Sequence, residues 1–467
     1  MSSECYPIKE LYNLFVQFPF ICTDTRNIIP DSLFFCLKGN HFDGNLFVNE
    51  ALEKGAKYVV TERNHKQNAE SKKIKEKAPY SDKIIVVDNV LKTLQQLANY
   101  HRRQLPIPII GITGSNGKTT TKELIAAVLS KKYKVAYTQG NLNNHIGVPL
   151  TLLSIKKDDQ MAVIEMGANH PGEIEELCQI AQPDYGLITN IGKAHLEGFG
   201  SMENIIKTKT ALYQAAKMLF VNNEDELLMQ KAEGRKQKRN SPPLKKPRGG
   251  LEGVTATDKQ ESLSKKSNII YYGANTEFSG QIVDMNPCLV INLFGKRIQT
   301  RLAGQYNLPN ILGAVAIGRF FNISTDDIGN ALSEYTPQHN RSQIIENKNN
   351  TIIADCYNAN PTSMKAALEN FLQLEAPHKL AILGDMLELG ENSLCEHQAI
   401  IDFCKLKNID VIFIGENFFK LKDKYSPQFF KTVEECNHYL KNNKLQNRLV
   451  LMKGSRGVHL EDVALSY

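Results

Sequence analysis

The stretch Gly111-Ile-Thr-Gly-Ser-Asn-Gly-Lys-Thr-Thr-Thr-Lys122 constrains the fold of this chain more than any other. It follows the apolar run Ile107 to Ile112, which reads as a buried strand, and precedes Glu123 to Leu129, which reads as the first turns of a helix. Strand, glycine loop and helix in that order form a phosphate cradle. Gly114 and Gly117 allow open dihedrals that turn N–H groups inward, and the helix dipole behind the loop favours an anion. Ser115, Asn116 and Thr120 complete the loop, Lys118 supplies a point charge for the terminal phosphates, and the Thr119 hydroxyl is placed to ligate Mg²⁺. Ile112 stands where the longer phosphate-loop pattern has glycine, so the fit is to the tighter T-G-x-x-G-K-T. ATP or GTP is the expected ligand.

A chain of 467 residues holds about three domains at ordinary domain sizes. No apolar run approaches the ~20 residues of a membrane span. The start, Met1-Ser-Ser-Glu-Cys-Tyr6, lacks a basic region followed by an apolar core, so export is not expected. Nine cysteines without a C-x-x-C pair read as scattered reduced thiols, which fits a cytoplasmic setting. The net charge of +6 owes much to Lys231 to Lys266, where Arg235-Lys-Gln-Lys-Arg239 and Ser241-Pro-Pro-Leu-Lys-Lys-Pro-Arg248 precede a polar tract. Too little apolar side chain is present there to offset ordering entropy, and the expectation is a basic, mobile surface insertion rather than a nucleic-acid site.

Alternating strand and helix signals run almost throughout and predict an α/β protein of parallel sheets flanked by helices. Residues 1–104 carry strands such as Leu33-Phe-Phe-Cys-Leu37 and Ile84-Ile-Val-Val87, then a helical stretch from Leu91 to Arg103. Pro106 and Pro108 mark a connector. Residues 105–336 hold the phosphate loop and strands Met161 to Ile164, Gly186 to Thr189 and Met218 to Val221. Residues 337–467 show a Rossmann-like spacing of strands without a G-x-G-x-x-G fingerprint. Ligands gather at strand ends in such sheets, which singles out Glu165 as a Walker-B-type carboxylate able to hold Mg²⁺ directly or through water, and His195 after the Gly192 turn.

Beyond these features, the chain resembles the Mur ligase family over nearly its whole length. The matching segments are Gly140-Asn-Leu-Asn-Asn-His-Ile-Gly-Val-Pro-Leu-Thr151, Glu165-Met-Gly-Ala-Asn-His-Pro-Gly-Glu173, His195-Leu-Glu-Gly-Phe-Gly200, Asp355-Cys-Tyr-Asn-Ala-Asn-Pro361, Leu383-Gly-Asp-Met-Leu-Glu-Leu-Gly390 and Lys453-Gly-Ser-Arg-Gly457. The resemblance implies three domains: an N-terminal UDP-binding α/β domain, a central ATPase-type parallel sheet and a C-terminal Rossmann-like domain that takes an incoming dipeptide. It implies ATP and Mg²⁺ as cofactors and UDP-N-acetylmuramoyl-tripeptide and D-alanyl-D-alanine as substrates, with no nucleic-acid partner and a monomeric enzyme. In the first domain Thr25, Arg26 and Lys38 would face the diphosphate.

In the second domain the resemblance puts Thr119 and Glu165 on one metal and His195 on another. Lys209, counted from Gly198-Phe-Gly200, would be carbamylated and share the second metal, with Lys207 as the competing position. Asn310 and Asp355 would hold adenine and ribose, and Arg341 would meet the γ-phosphate. Asn144, Tyr357, Asn358 and Asn360 would line the peptide sites. The implied chemistry is phosphorylation of a peptide carboxylate followed by capture of the acyl phosphate by an amine. Sister ligases of the stem peptide and folylpolyglutamate synthetase carry a His-containing motif where this chain has Asp355-Cys-Tyr-Asn-Ala-Asn-Pro361. A nucleotide-switched or nucleic-acid-binding protein would instead show salt-sensitive binding without amino-acid-dependent phosphate release.

Overall fold

The computed structural model describes residues 6–39, 42–63, 81–235, 268–347, 349–424 and 428–464. A first sheet takes Ile21–Cys22, Leu33–Phe35, Tyr58–Glu62 and Ile84–Val87 in chain order, all parallel. The helix Val90–Gln104 follows, its Asn89 side chain accepting from Lys92 N–H as an N-cap. Leu94, Leu97 and Ala98 of this helix are buried in the same core as Leu33, Val60, Leu152, Ile164 and Leu177, so one apolar cluster joins the first sheet to the second.

The second sheet is wholly parallel and runs Ile269–Tyr272, Met218–Asn222, Tyr185–Ile188, Ile109–Thr113, Met161–Glu165, Val135–Tyr137. Every residue of Ile109–Thr113 is buried, as a strand covered on both faces requires. Its order reverses about Ile109–Thr113, so the crevice at the carboxyl ends of the central strands opens beside the glycine loop. The helix behind the loop, Lys118–Leu129, packs on Leu308–Phe320, with Leu124, Val128, Ile311 and Val315 in their common core.

A third sheet combines Gln343–Glu346, Asn350–Asp355, Arg448–Lys453, Lys379–Gly384, Val411–Ile414 and Gln428–Phe430, parallel except for its first strand. The expectation of parallel sheets therefore needs correction at that edge and, more fully, at Gln281–Asp284, Cys288–Leu293 and Lys296–Ala303, which form an antiparallel three-stranded sheet. Lys296–Ala303 alternates exposed and buried residues, the mark of a sheet with one wet face. Its buried Ile298 and Leu302 join the core under Leu308–Phe320.

The basic insertion also starts later than its composition implies. Lys231 lies in the helix Glu226–Glu233, and the Arg235 guanidinium donates to the carbonyls of Tyr213, Ala216, Lys217 and Asn268. Residues 236–266 of that expectation lie outside the described residues. Among the described residues no helix is long and apolar enough to cross a membrane.

Candidate active site

The helix after the loop begins at Lys118, directly behind Gly117, so the loop's N–H groups point from a helix N-terminus. Gly114 has φ +152, and a Cβ there would sit 1.9 Å from the Thr189 hydroxyl. Gly117 has φ +77, and a Cβ would lie 2.7 Å from Asn310 Oδ1. Both positions exclude side chains on two counts, conformation and space. The loop is tied to the turn after Tyr185–Ile188. Ser115 Oγ donates to Gly192 O at 3.0 Å, and Asn116 N–H donates to Asn190 Oδ1 at 3.0 Å.

Lys118 folds back on its own loop, donating to Gly114 O at 2.9 Å and Ser115 O at 3.4 Å. Burial pushes its ammonium pKa down, Glu165 opposes that shift, and Arg341 adds to it. Thr119 is buried, and its hydroxyl donates to Glu165 Oε1 at 3.2 Å. Asn143 Nδ2 donates to the same oxygen at 2.8 Å. Glu165 Oε2 is buried without a hydrogen-bond partner, 3.7 Å from Lys122 Nζ. Hard oxygens of Thr119 and Glu165 thus converge with one lone-pair face unsatisfied, a donor set suited to a magnesium ion.

Lys209 is buried, its Nζ donates to Gly114 O at 3.1 Å, and burial with the nearby Lys118 charge holds its pKa well below the usual lysine value. Lys207, on the same helix Met202–Ala215, is exposed. His195 has φ +53, and its Nδ1 pairs with Glu388 of the third sheet's loops, which lowers the Glu388 pKa. Among the described residues no group of three His, Cys, Asp or Glu forms a metal cage.

The third sheet meets the loop through Asn360. It caps Pro361–Gln373 in a capping box with Ser363, and its Nδ2 donates to Asn116 Oδ1 at 2.7 Å. Lys193 adds an N–H to Thr362 Oγ1 at 3.3 Å and an ion pair to Glu396 at 2.6 Å. Arg341 stacks its guanidinium 3.5 Å above the Tyr357 ring, with Arg456 at 5.5 Å from the same ring. Asp355 accepts from Lys453 Nζ at 2.6 Å and from Ser342 N–H at 3.2 Å. Asn310 lies against Gly117 and donates to Asn307 Oδ1 at 2.9 Å.

The remaining expected residues have local partners. Asn144 Oδ1 accepts from the N–H groups of Ile146 and Gly147, fixing the start of Gly147–Leu153. Asn358 Oδ1 accepts from Ala359 N–H. In the first sheet's loops Arg26, 85% exposed, makes a forked pair with Asp24, whose pKa falls to about 2 through those hydrogen bonds. Thr25 follows Asp24 in the turn Thr25–Asn27, and Lys38 lies 3.8 Å from Asp43. Sequence reasoning missed Asp24, Lys122, Asn143, Glu388 and Lys453 as partners, although each lies within or beside a segment already singled out.

Fold and site together define a three-domain α/β protein built around a nucleotide phosphate loop. The chain matches the Mur ligase middle domain over residues 112–318, the Mur ligase glutamate ligase domain over 340–456, and the Mur ligase family catalytic domain over 17–102. The chain belongs to the Mur ligase family. It is 33% identical over 462 residues to a Bacillus subtilis protein named UDP-N-acetylmuramoyl-tripeptide--D-alanyl-D-alanine ligase, covering 95% of this chain and 92% of that one. An Escherichia coli protein of the same name is 31% identical, covering 97% and 94%. The fold is similar to a crystal structure of MurF from Acinetobacter baumannii, with TM-score 0.79, 27% identity and 98% of each chain covered. It is also similar to MurF ligase from Thermotoga maritima in complex with ADP, with TM-score 0.72, 26% identity, and coverage of 95% of this chain and 96% of that one.

Proposed function

We propose that this protein is an ATP-dependent ligase that joins D-alanyl-D-alanine to UDP-N-acetylmuramoyl-tripeptide through an acyl phosphate, in cytoplasmic synthesis of cell-wall precursors. The observation that carries the reading is the docking of Asn360, near the end of the Asp355 to Pro361 motif, on Asn116 of the phosphate loop. That contact puts a candidate peptide-binding segment beside a candidate ATP site.

ATP enters with its phosphates on the N–H groups of Gly114 to Thr120, and Lys118 exchanges the carbonyls of Gly114 and Ser115 for phosphate oxygens. Asn310 and Asp355 flank the nucleoside, with Lys453 keeping the Asp355 carboxylate oriented. Thr119 and Glu165 would hold a magnesium ion, which supplies charge neutralisation to the transferring phosphoryl group. Arg341 stabilises the same developing charge, its guanidinium set by Tyr357. The tripeptide carboxylate attacks the γ-phosphorus, ADP leaves, and an acyl phosphate forms. The dipeptide amine then attacks the acyl carbon, loses a proton, and phosphate departs.

Thr25, Arg26 and Lys38 hold the UDP diphosphate, while Asn144, Tyr357, Asn358 and Asn360 border the peptide sites. His195 and a carbamylated Lys209 remain proposed ligands of a second cation on family resemblance, and no step here is drawn through them. Residues 1–104, 105–336 and 337–467 are the proposed domain limits, and a monomer is the proposed working unit. The test is phosphate release from ATP with D-alanyl-D-alanine against single amino acids, using tripeptide labelled with ¹⁸O in its carboxylate. Dipeptide-dependent release with ¹⁸O in the phosphate is expected. Release with a single amino acid alone, or unlabelled phosphate, refutes the reading.

A further inference from the structure

Lys122 is a buried cation for which the reaction above has no use. It lies on Lys118–Leu129, one turn beyond the phosphate loop, and its side chain is 1% exposed. Its Nζ stands 3.7 Å from Glu165 Oε2 and equally 3.7 Å from Glu123 Oε1, with the Tyr137 ring 5.8 Å away. Neither distance is a hydrogen bond. Glu165 Oε2 is the buried carboxylate oxygen without a hydrogen-bond partner, so the ammonium balances its charge and leaves its lone pairs free. Glu123 is held from its other side, where Oε2 accepts from Tyr335 OH at 2.7 Å. Unlike Glu165, Glu123 is partly open to water.

A buried carboxylate needs a counter-charge when no metal is bound, and a dication beside it is repelled by any ammonium that stays. A cation midway between two carboxylates meets both demands, because it can neutralise one and retreat to the other. From this geometry we infer that Lys122 is the resident counter-ion of Glu165, shared with Glu123, and that an arriving divalent cation displaces it toward Glu123. Lys122 is thus a positioning residue that sets how much divalent cation the loop requires. The inference rests on the proposal that Glu165 is a magnesium residue.

Two substitutions should move the same quantity in opposite directions. Lys122→Met fills the buried stem while removing the competing charge, and Glu123→Gln removes the retreat while keeping an acceptor for Tyr335. The measurement is the Mg²⁺ concentration giving half of the magnesium-dependent gain in ADP affinity, by calorimetry on the full chain, alongside ADP affinity in EDTA. Lys122→Met should lower that concentration and Glu123→Gln should raise it, each by roughly fivefold to tenfold. ADP affinity in EDTA should stay within about twofold for Glu123→Gln, whose side chain engages Tyr335 and Lys122 and no residue of the phosphate loop proposed to meet ADP. General damage to the site would raise the requirement in both variants, so shifts of the same sign overturn the inference, as does no shift in Glu123→Gln. Should Lys122→Met not fold, a raised requirement in Glu123→Gln with ADP affinity in EDTA unchanged supports the inference, and a raised requirement with that affinity lowered, or no rise, overturns it. Glu165→Gln separates the two levels: if it leaves the magnesium dependence untouched, the proposed metal role of Glu165 fails. If it abolishes that dependence while the other two variants do not diverge, only the counter-ion role of Lys122 fails.

Discussion

Asn360 performs two tasks that substitution can separate. Its Oδ1 caps Pro361–Gln373, and its Nδ2 reaches Asn116 of the phosphate loop at 2.7 Å. Losing an N-cap costs about 1 kcal/mol, and losing one well-formed hydrogen bond about another 1 kcal/mol. Asn360→Ala removes both, for a total near 2 kcal/mol. Serine retains the cap but is too short to reach Asn116, so Asn360→Ser isolates the bond between the two sheets. If that bond holds the third sheet's residues against the loop during phosphoryl transfer, Asn360→Ser lowers kcat/KM for ATP about fivefold, the equivalent of about 1 kcal/mol. The unfolding midpoint of Asn360→Ser should fall about half as far as that of Asn360→Ala, which loses the cap as well. Steady-state kinetics and urea unfolding on the three proteins make the comparison. Unchanged kcat/KM in Asn360→Ser, with a loss in Asn360→Ala matched by its lost stability, would refute the argument, because capping alone would then explain the residue.

Gly117→Ala should weaken ADP binding at least tenfold by calorimetry, since φ +77 and the 2.7 Å approach of Asn310 Oδ1 both oppose a Cβ; Gly140→Ala, at φ +52 with nothing within 4 Å, bears backbone strain alone and should bind normally. Lys209, with a folded pKa well below that of the unfolded chain, binds fewer protons folded than unfolded between those two values, so its contribution to stability rises with pH across that window. In CO₂-depleted buffer the gain in midpoint from pH 7 to pH 9 should shrink in Lys209→Met, and parallel curves for the two proteins would remove the pKa argument. Arg26→Ala should raise KM for the UDP-linked substrate about tenfold while leaving ADP binding unchanged, and Asp24→Ala should raise it less, because the guanidinium persists but loses the carboxylate that aims it.

The parts legible in the sequence were those where a local rule fixes the outcome. A fully apolar strand, two glycines and a lysine–threonine pair allow little besides the loop seen at Gly114 to Thr119. The third sheet was visible in the Rossmann-like spacing of apolar runs over 337–467, while polar strand ends such as Asp355 and Lys453 are held in register by pairing across the sheet. The antiparallel sheet over 281–303 escaped because its strands are half polar, and their partners are decided by packing under Leu308–Phe320. Partners distant in the chain escaped for a related reason. Nothing near His195 indicates Glu388, and the two equal carboxylate distances of Lys122 exist only once Glu165 is folded beside it.

The third sheet is fastened to the phosphate-loop side by polar contacts, among them Asn116 with Asn360, Lys193 with Thr362 and Glu396, and His195 with Glu388, and by apolar packing of Leu196, Met285 and Tyr306 on the core that holds Ala303, Met364 and Phe371. Water replaces the polar partners at small net change in free energy, whereas the apolar part of the seam resists parting. Added salt therefore acts on one part of this seam: it screens the Lys193 pair with Glu396 and leaves the amide pair and the apolar packing as they are.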